Sequence, residues 1–440
     1  MSHHHQTELD DLLVSAQQNL TDDCTEIARS HLQQALQLAE KHFGENSPEV
    51  DRVLKLKIDL HCKCQEDDQA QASFQDRIDR LRRKPSPPYE TIITAHNDFA
   101  VFLTHHDRYD EAEGLLLQAL KDCASLAPKN AASLAHTLYN LGQYYLSCNE
   151  YSQAIAHLEK SLQESERVRP YPLLKSARTT VELARCYHEA EIEPEKIISL
   201  LEPTLPFLRS APNAPAEATS LGYQILGIVY YQQSRYRDAC YALNQAAILC
   251  HQSRPRPYKR IASIYSWAAD NEYAMGNITR ALALAKKRLE FCSREYPEHS
   301  PETNAAKVQL TNIYLPQERY LEAEPLLEQV IESIKELNGP DDPNLLRHYN
   351  NLSYTYIHTE RFPMAETLLT LAREIILKND PTTPCPFNTK NFGLLYQKMG
   401  HNLKAIAEYH KAREHFVTQF SEDHPMVSFI DKALRECSAK

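Results

Sequence analysis

The stretch YNNLSYTYIHTERFPMAETLLTLA, residues 349–372, decides how the chain is read. It holds two apolar faces of helical spacing joined by a short polar break. In the first, the small residue Ser353 is followed one turn on by Tyr356. In the second, Ala365 is followed at +4 and +7 by Leu369 and Ala372. Positions three and four apart lie on one side of a helix. Two antiparallel helices approach closely only where side chains are small, and the tyrosine is expected to cover the next helix.

Working outward, the alanine recurs. Ala28, Ala70, Ala112, Ala154, Lys196, Ala239, Ala281, Ala323, Ala365 and Ala405 follow one another at about 42 residues. Upstream of each runs a small column: Ala16, Ile58, Ala100, Gly142, Ala184, Gly227, Ala269, Thr311, Ser353 and Gly393. Three residues beyond it stands an aromatic column, Tyr145, Tyr187, Tyr230, Tyr314, Tyr356 and Tyr396, with Asn19, His61, Leu103 and Glu272 as exceptions. Prolines punctuate at the same period, at 128, 170, 212, 255, 297, 340, 381 and 425. Proline lacks the N–H that a helix interior needs, so it marks the breaks between units.

The pattern predicts an all-α fold, a right-handed solenoid of about ten antiparallel helix pairs, each burying its apolar face on its neighbours. We expect a disordered start at residues 1–8 and two divergent pairs over 9–84. Eight regular units over 85–420 and a capping helix over 421–440 follow. The unit at 171–209 breaks the rule. Lys196 occupies the alanine position, Pro203 the +7 position, and Pro206 follows. Either a hinge or a drifted repeat held by its neighbours fits that stretch.

Small-x-x-Tyr, Ala-x3-Leu-x2-Ala, then Pro resembles the tetratricopeptide repeat, which usually has about 34 residues. The 42-residue form resembles the repeats of kinesin light chain, most closely at Tyr349–Ser353 and Arg319–Leu327. The linkers Phe43–Pro48, Asn338–Pro343 and Glu298–Pro301 look alike too. HEAT-like arrays share the period, but the small, tyrosine and alanine columns favour the tetratricopeptide reading.

Composition narrows the function. The chain has 48 Lys and Arg against 59 Asp and Glu, a net charge of −11, which argues against a general nucleic-acid binder. Only 9 of 440 residues are glycine, and neither phosphate-loop motif is present. No apolar run approaches a membrane span. The 11 dispersed cysteines read as free thiols in a reducing, cytoplasmic setting. We therefore expect no enzyme, no cofactor, no metal, no nucleic acid and no membrane insertion, with the oligomeric state open. His188-Glu189 lacks the second histidine of a zinc-protease helix, because Ile192 stands there. His61-Cys62-Lys63-Cys64 places its ligands on opposing helix faces and has no second cluster. His3-His4-His5 reads as tag-like or as a flexible terminus, and the sequons at Asn19, Asn277 and Asn351 as chance matches. The basic run Arg77, Arg80, Arg82, Arg83, Lys84 before Pro85-Ser86-Pro87-Pro88 is either a docking patch with a phosphosite or a helix C-terminus complementing its dipole. Arg254–Arg260 is a second basic loop.

The functional candidate is a surface. The first helices of the pairs should line a concave groove that holds a peptide segment of a partner protein. We place Asn97, Asp98, Tyr139, Asn140, Gln143, Arg185, Trp267, Gln309, Asn312, Arg347, Asn350, Asn351 and Asn391 on it. Asn and Gln side chains both donate and accept, which suits the backbone of an extended peptide. Tyr139 and Trp267 offer contact area, and Arg178, Arg185 and Arg347 could meet a carboxylate. Resemblance to kinesin light chain implies the same groove role for Asn350 and Asn351, and by analogy for Asn140 and Asn391. The reading is a non-catalytic adaptor. Its alternative is a ligand- or peptide-responsive regulator that changes conformation and partner on binding.

Overall fold

The computed structural model describes residues 2–126, 130–170, 173–379 and 385–439. Two of the punctuating prolines, Pro128 and Pro381, lie outside these residues. Among the described residues the structure is helical, with no strand. The helices pair in chain order. The first five pairs are α1 (Ser2–Thr21) with α2 (Thr25–Phe43), α3 (Pro48–Lys63) with α4 (Asp67–Arg82), α5 (Tyr89–His105) with α6 (Tyr109–Ser125), α7 (Ala131–Ser147) with α8 (Tyr151–Ser165), and α9 (Leu173–Glu189) with α10 (Pro194–Ser210). Then come α11 (Ala216–Gln232) with α12 (Tyr236–Gln252), α13 (Tyr258–Ala274) with α14 (Ile278–Glu295), and α15 (Pro301–Tyr314) with α16 (Tyr320–Asn338), the last joined through a 3-10 turn at Leu315–Gln317. The chain continues with α17 (Leu345–His358) and α18 (Phe362–Asn379), α19 (Pro386–Lys398) and α20 (Asn402–Gln419), and closes on α21 (Pro425–Ser438). It divides into two compact units, Met1–Ile225 and Leu226–Lys440, with the boundary inside α11.

The residue columns explain the packing within each unit. The alanines Ala28, Ala70, Ala112 and Ala154 of the first unit are completely buried, as are Ala239, Ala281, Ala323, Ala365 and Ala405 of the second. The small column faces them. A Cβ on Gly142 would lie 2.5 Å from Leu158 Cγ, and one on Gly393 would lie 2.7 Å from the Tyr409 ring. Each pair turns on a residue in the left-handed region, among them Asp107, Asn149, Glu191, Ser234, Glu318 and Glu360 with φ between 52° and 60°. The next amide then donates back to the aromatic column: Glu150 N to Tyr145 O at 2.8 Å, Arg235 N to Tyr230 O at 2.8 Å and Arg361 N to Tyr356 O at 2.8 Å. This is the Schellman way of satisfying helix-end carbonyls. The tyrosine side chains reach back rather than forward. Tyr145, Tyr187 and Tyr356 donate their hydroxyls to Glu113, Glu159 and Glu328, each on the second helix of the preceding pair.

Two expectations need correction. Residues 2–8, expected to be disordered, belong to α1, whose Leu9, Leu13 and Ala16 bury against α2. The irregular unit is also misregistered by one residue in the sequence reading. Ile197, at 2% exposure, fills the alanine position, while Lys196 points to solvent. The extra residue sits in the turn between Glu191 and Pro194, so Thr204 rather than Pro203 falls at +7. Ile197, Leu201, Leu205 and Leu208 form one continuous buried face, and Pro203 and Pro206 lie on the exposed side of an unbroken α10.

Candidate functional site

In the first unit, the asparagine column is an internal ladder. Asn97 is fully buried and donates to Ile93 O and to Thr137 Oγ1, both at 2.9 Å. Its carbonyl oxygen accepts from Asn140 Nδ2 at 3.0 Å. These bonds tie α5 to α7 across about one repeat, so Asn97 cannot also meet a ligand, contrary to the sequence reading. Asn140 reaches the surface only along one edge.

Beside this ladder the first helices α3, α5, α7 and α9, with Phe74 and Arg77 of α4, line an open cavity of 610 Å³. Asp98, Tyr139 and Asn140 line it, together with Asp59, Arg77, Phe102, His136 and Arg178. A smaller cavity of 190 Å³ adjoins it and shares His136, Tyr139 and Arg178, with Ala132, Ala135, Val168 and Lys175 on its far side. Such a volume exceeds the roughly 150 Å³ that suffices for a benzene ring. The Arg178 guanidinium lies 5.2 Å over the Tyr139 ring. No ion pair engages Arg178 or Lys175 among the described residues. By contrast Arg77 is buried against Asp51 at 2.8 Å, with Asp98 3.6 Å away. The Tyr139 hydroxyl is shielded from solvent, and burial with the nearby Glu182 charge pushes its pKa up to about 12 against the opposing pull of Arg178. Burial, with Lys175 and Arg178 adding to it, pushes His136 down. Burial raises Asp59, Asp98 adding to it while Lys55 and Arg77 oppose it. The result is an amphipathic recess lined by cations that make no ion pair among the described residues, Arg178 and Lys175, and by the carboxylates Asp59 and Asp98.

Of the other first-unit predictions, Arg185 is half exposed, 3.8 Å from Glu182. Gln143 is partly buried, its amide nitrogen without a partner. Neither lines the cavity. Arg178, His136 and Lys55 belong to it and are absent from the predicted groove set, although Arg178 was singled out as a carboxylate partner. The available signal was position: His136 and Arg178 stand one turn before Asn140 and Glu182 on the same face. Of the basic helix end, Arg77 is buried and Arg80 partly so, meeting Glu40 at 2.8 Å and Asp76 at 2.9 Å, while Arg82, which meets His96 at 3.1 Å, and Arg83 are exposed. His61 is buried, 2.6 Å from Glu66, which Arg29 also holds at 2.7 Å.

The second unit repeats the ladder. Asn391 donates to Asn350 O at 2.9 Å, and Asn388 donates to Asn350 Oδ1 at 3.3 Å and to Leu369 O at 3.1 Å. Asn350 and Asn391, placed in the groove by the sequence, are both buried, with the Asn391 amide nitrogen and the Asn350 oxygens engaged within the chain. Gln309 is similar, giving its amide to Ser266 O and Asp270 and accepting from Arg288. Asn351 is partly exposed, while Asn312 and Arg347 are exposed. Trp267 is partly buried edge-on to Tyr231 at 5.7 Å. Among the described residues there is no cluster of three metal-ligating side chains and no helix long and apolar enough to cross a membrane.

A family model of the tetratricopeptide repeat matches residues 90–163 and 302–378, which are α5–α8 and α15–α18. Those two stretches match tetratricopeptide repeats. A likeness is found to nearly identical TPR-like repeats assigned to a kinesin light chain of Podosopora anserina, 20% identical over 47% of this chain and 97% of that one, with a TM-score of 0.41. Greater coverage comes from a Pyrococcus horikoshii STAND protein with a tetratricopeptide repeat sensor, 13% identical over 89% of this chain and 55% of that one, TM-score 0.56. The apo form of the quorum sensor NprR from B. thuringiensis is 14% identical over 88% and 99%, TM-score 0.52. At these identities the repeats share a fold. No curated protein matches the sequence.

Proposed function

We propose that the chain is a non-catalytic, cytoplasmic, protein-binding adaptor or regulator, and that a peptide segment of its partner seats on the first helices of the first unit. The recess along α3, α5, α7 and α9 carries this reading. Its rim cations Arg178 and Lys175 suit an acidic group, and the adjoining 190 Å³ cavity suits an apolar side chain. Asp98, Tyr139 and Asn140 form the floor. Binding of this kind works at roughly micromolar affinity, about −8 kcal/mol, which leaves the partner exchangeable.

The test is a comparative pulldown from native lysate with wild type, Arg178→Glu and a control reversal at exposed Arg209. A partner lost only by Arg178→Glu supports the recess. Equal recovery by all three overturns it. The fold shared with a quorum sensor makes a ligand-responsive regulator the second reading. Compaction in X-ray scattering on adding the recovered partner supports that reading, and an unchanged profile supports the adaptor.

A further inference from the structure

The second unit contains a lysine in an unusual place. Lys390 lies on α19 with its ammonium 5.3 Å from the Tyr354 ring of α17 and 5.8 Å from the Phe429 ring of α21. Tyr354 continues into an aromatic cluster, tilted against His358 at 4.3 Å and edge-on to Tyr320 at 6.2 Å. No described carboxylate reaches Lys390 within ion-pair distance. The titratable groups facing it from α17 are Tyr354 and His358, and α21 presents Phe429. His358 is pushed down by burial and by the Lys398 and Lys390 charges. From α18, Arg373 lies over Phe392 and pairs with Glu408 of α20, which Lys411 also holds. Lys390 therefore has rings but no counter-charge, and remains partly open to solvent.

An ammonium enclosed without a counter-ion favours its neutral form, and the neutral amine is the nucleophile. Burial lowers the Lys390 pKa to about 8. The contrast is Lys378 in the same unit, whose ammonium pairs with Asp341 at 2.8 Å and is raised by that bond.

We propose that Lys390 is an acylation site, taking an acyl group from an activated donor such as an acyl phosphate. The amine nitrogen attacks the acyl carbon and an amide C–N bond forms. The C–O bond to phosphate breaks, phosphate departs with the electron pair, and the nitrogen's proton passes to solvent. The product is neutral, so the charge that lacked a partner disappears while the side chain keeps its place between the rings.

The experiment is a short pulse of acetyl phosphate on the full chain at pH 7.5, with initial acetylation at each lysine read by mass spectrometry. Lowering the pKa to that value raises the neutral fraction roughly a hundredfold over an ordinary lysine. The lower basicity offsets about half of this on a logarithmic scale, if amines follow the thiol trend. Lys390 should therefore lead Lys378 by about tenfold, with a rate rising through half-maximum near pH 8. The lead should vanish in the urea-unfolded chain and shrink severalfold in Phe429→Ser, a residue 41% exposed and outside the buried core. Acetylation of Lys390 no faster than Lys378, or a lead that persists in urea or in Phe429→Ser, overturns the proposal.

Discussion

The first helices of α5–α9 in the first unit and of α17–α21 in the second follow the same column rule but use it differently. Both tie adjacent repeats with asparagine: Asn97 with Asn140 in one, Asn350 with Asn388 and Asn391 in the other. Beside the first ladder the positions hold Asp98, His136 and Arg178 around a 610 Å³ recess. Beside the second they hold Tyr354 and Lys390, and the rings of Tyr354 and Phe429 close over the charge. A repeat column thus fixes where a side chain starts from. The residues about one repeat away decide whether that side chain is bonded, enclosed or free.

The largest expected effect tests whether the two units share one electrostatic weakness. Each buries a neutral histidine: His96 beside α4, and His348 in α17. Burial, with Arg82 adding to it, lowers His96 to about 4, and burial, with Arg347 adding to it, lowers His348 to about 4. A depressed folded-state pKa gives stability that is present above the unfolded value, near 6.5, and is lost as pH falls from there towards 4. Each histidine contributes up to about 3 kcal/mol over that window. Urea unfolding at pH 7.5 and pH 5 should show the loss, and His96→Leu with His348→Leu should flatten it. A steep slope in the double variant would refute the assignment.

The ladders come next. Asn97→Ala strands Thr137 and the Asn140 amide in a fully buried setting and should cost about 2–3 kcal/mol. Asn350→Ala breaks a longer bond and should cost about 1–2 kcal/mol. Equal losses in denaturant titration would erase this difference between the units. The glycines give a smaller effect of the same sense in both units. Gly142→Ala meets the fully buried Leu158 at its Cγ, 2.5 Å away, so overpacking should outweigh the roughly 1 kcal/mol that the helix gains from losing glycine. Gly393→Ala meets the buried Tyr409 ring, so about 1–2 kcal/mol of overpacking should remain. Thermal melts of both variants check the sign.

The fold was legible because packing imposes it on every repeat. Ala365, Leu369 and Ala372 announce a buried face, and Gly393 announces a close approach. Two things escaped. The left-handed turn residues are mostly Asp, Asn, Ser and Glu rather than glycine, so the one-residue insertion after Glu191 was invisible and Lys196 was put in the place of Ile197. The site was legible only as a direction. Asn97, Asn140, Gln309, Asn350 and Asn391 do lie on the first helices, but their partners stand a repeat or more away, or on another helix, and no local pattern records such a bond. Arg178 was legible as a charge, yet nothing local says that it lacks a partner.

The smallest expected effects separate an open charge from an enclosed one. Arg178 is exposed at the rim of the first-unit recess and has no ion pair, so Arg178→Gln should move stability by less than about 0.5 kcal/mol. Lys390 sits between two rings without a counter-charge, so Lys390→Met should stabilise by up to about 1 kcal/mol, replacing a desolvated ammonium with an apolar chain of similar length. Paired urea titrations at pH 7.5 resolve the sign. A loss on Lys390→Met would mean that the cation–π contacts outweigh the desolvation, and that the second unit, like the first, presents a charge satisfied where it stands.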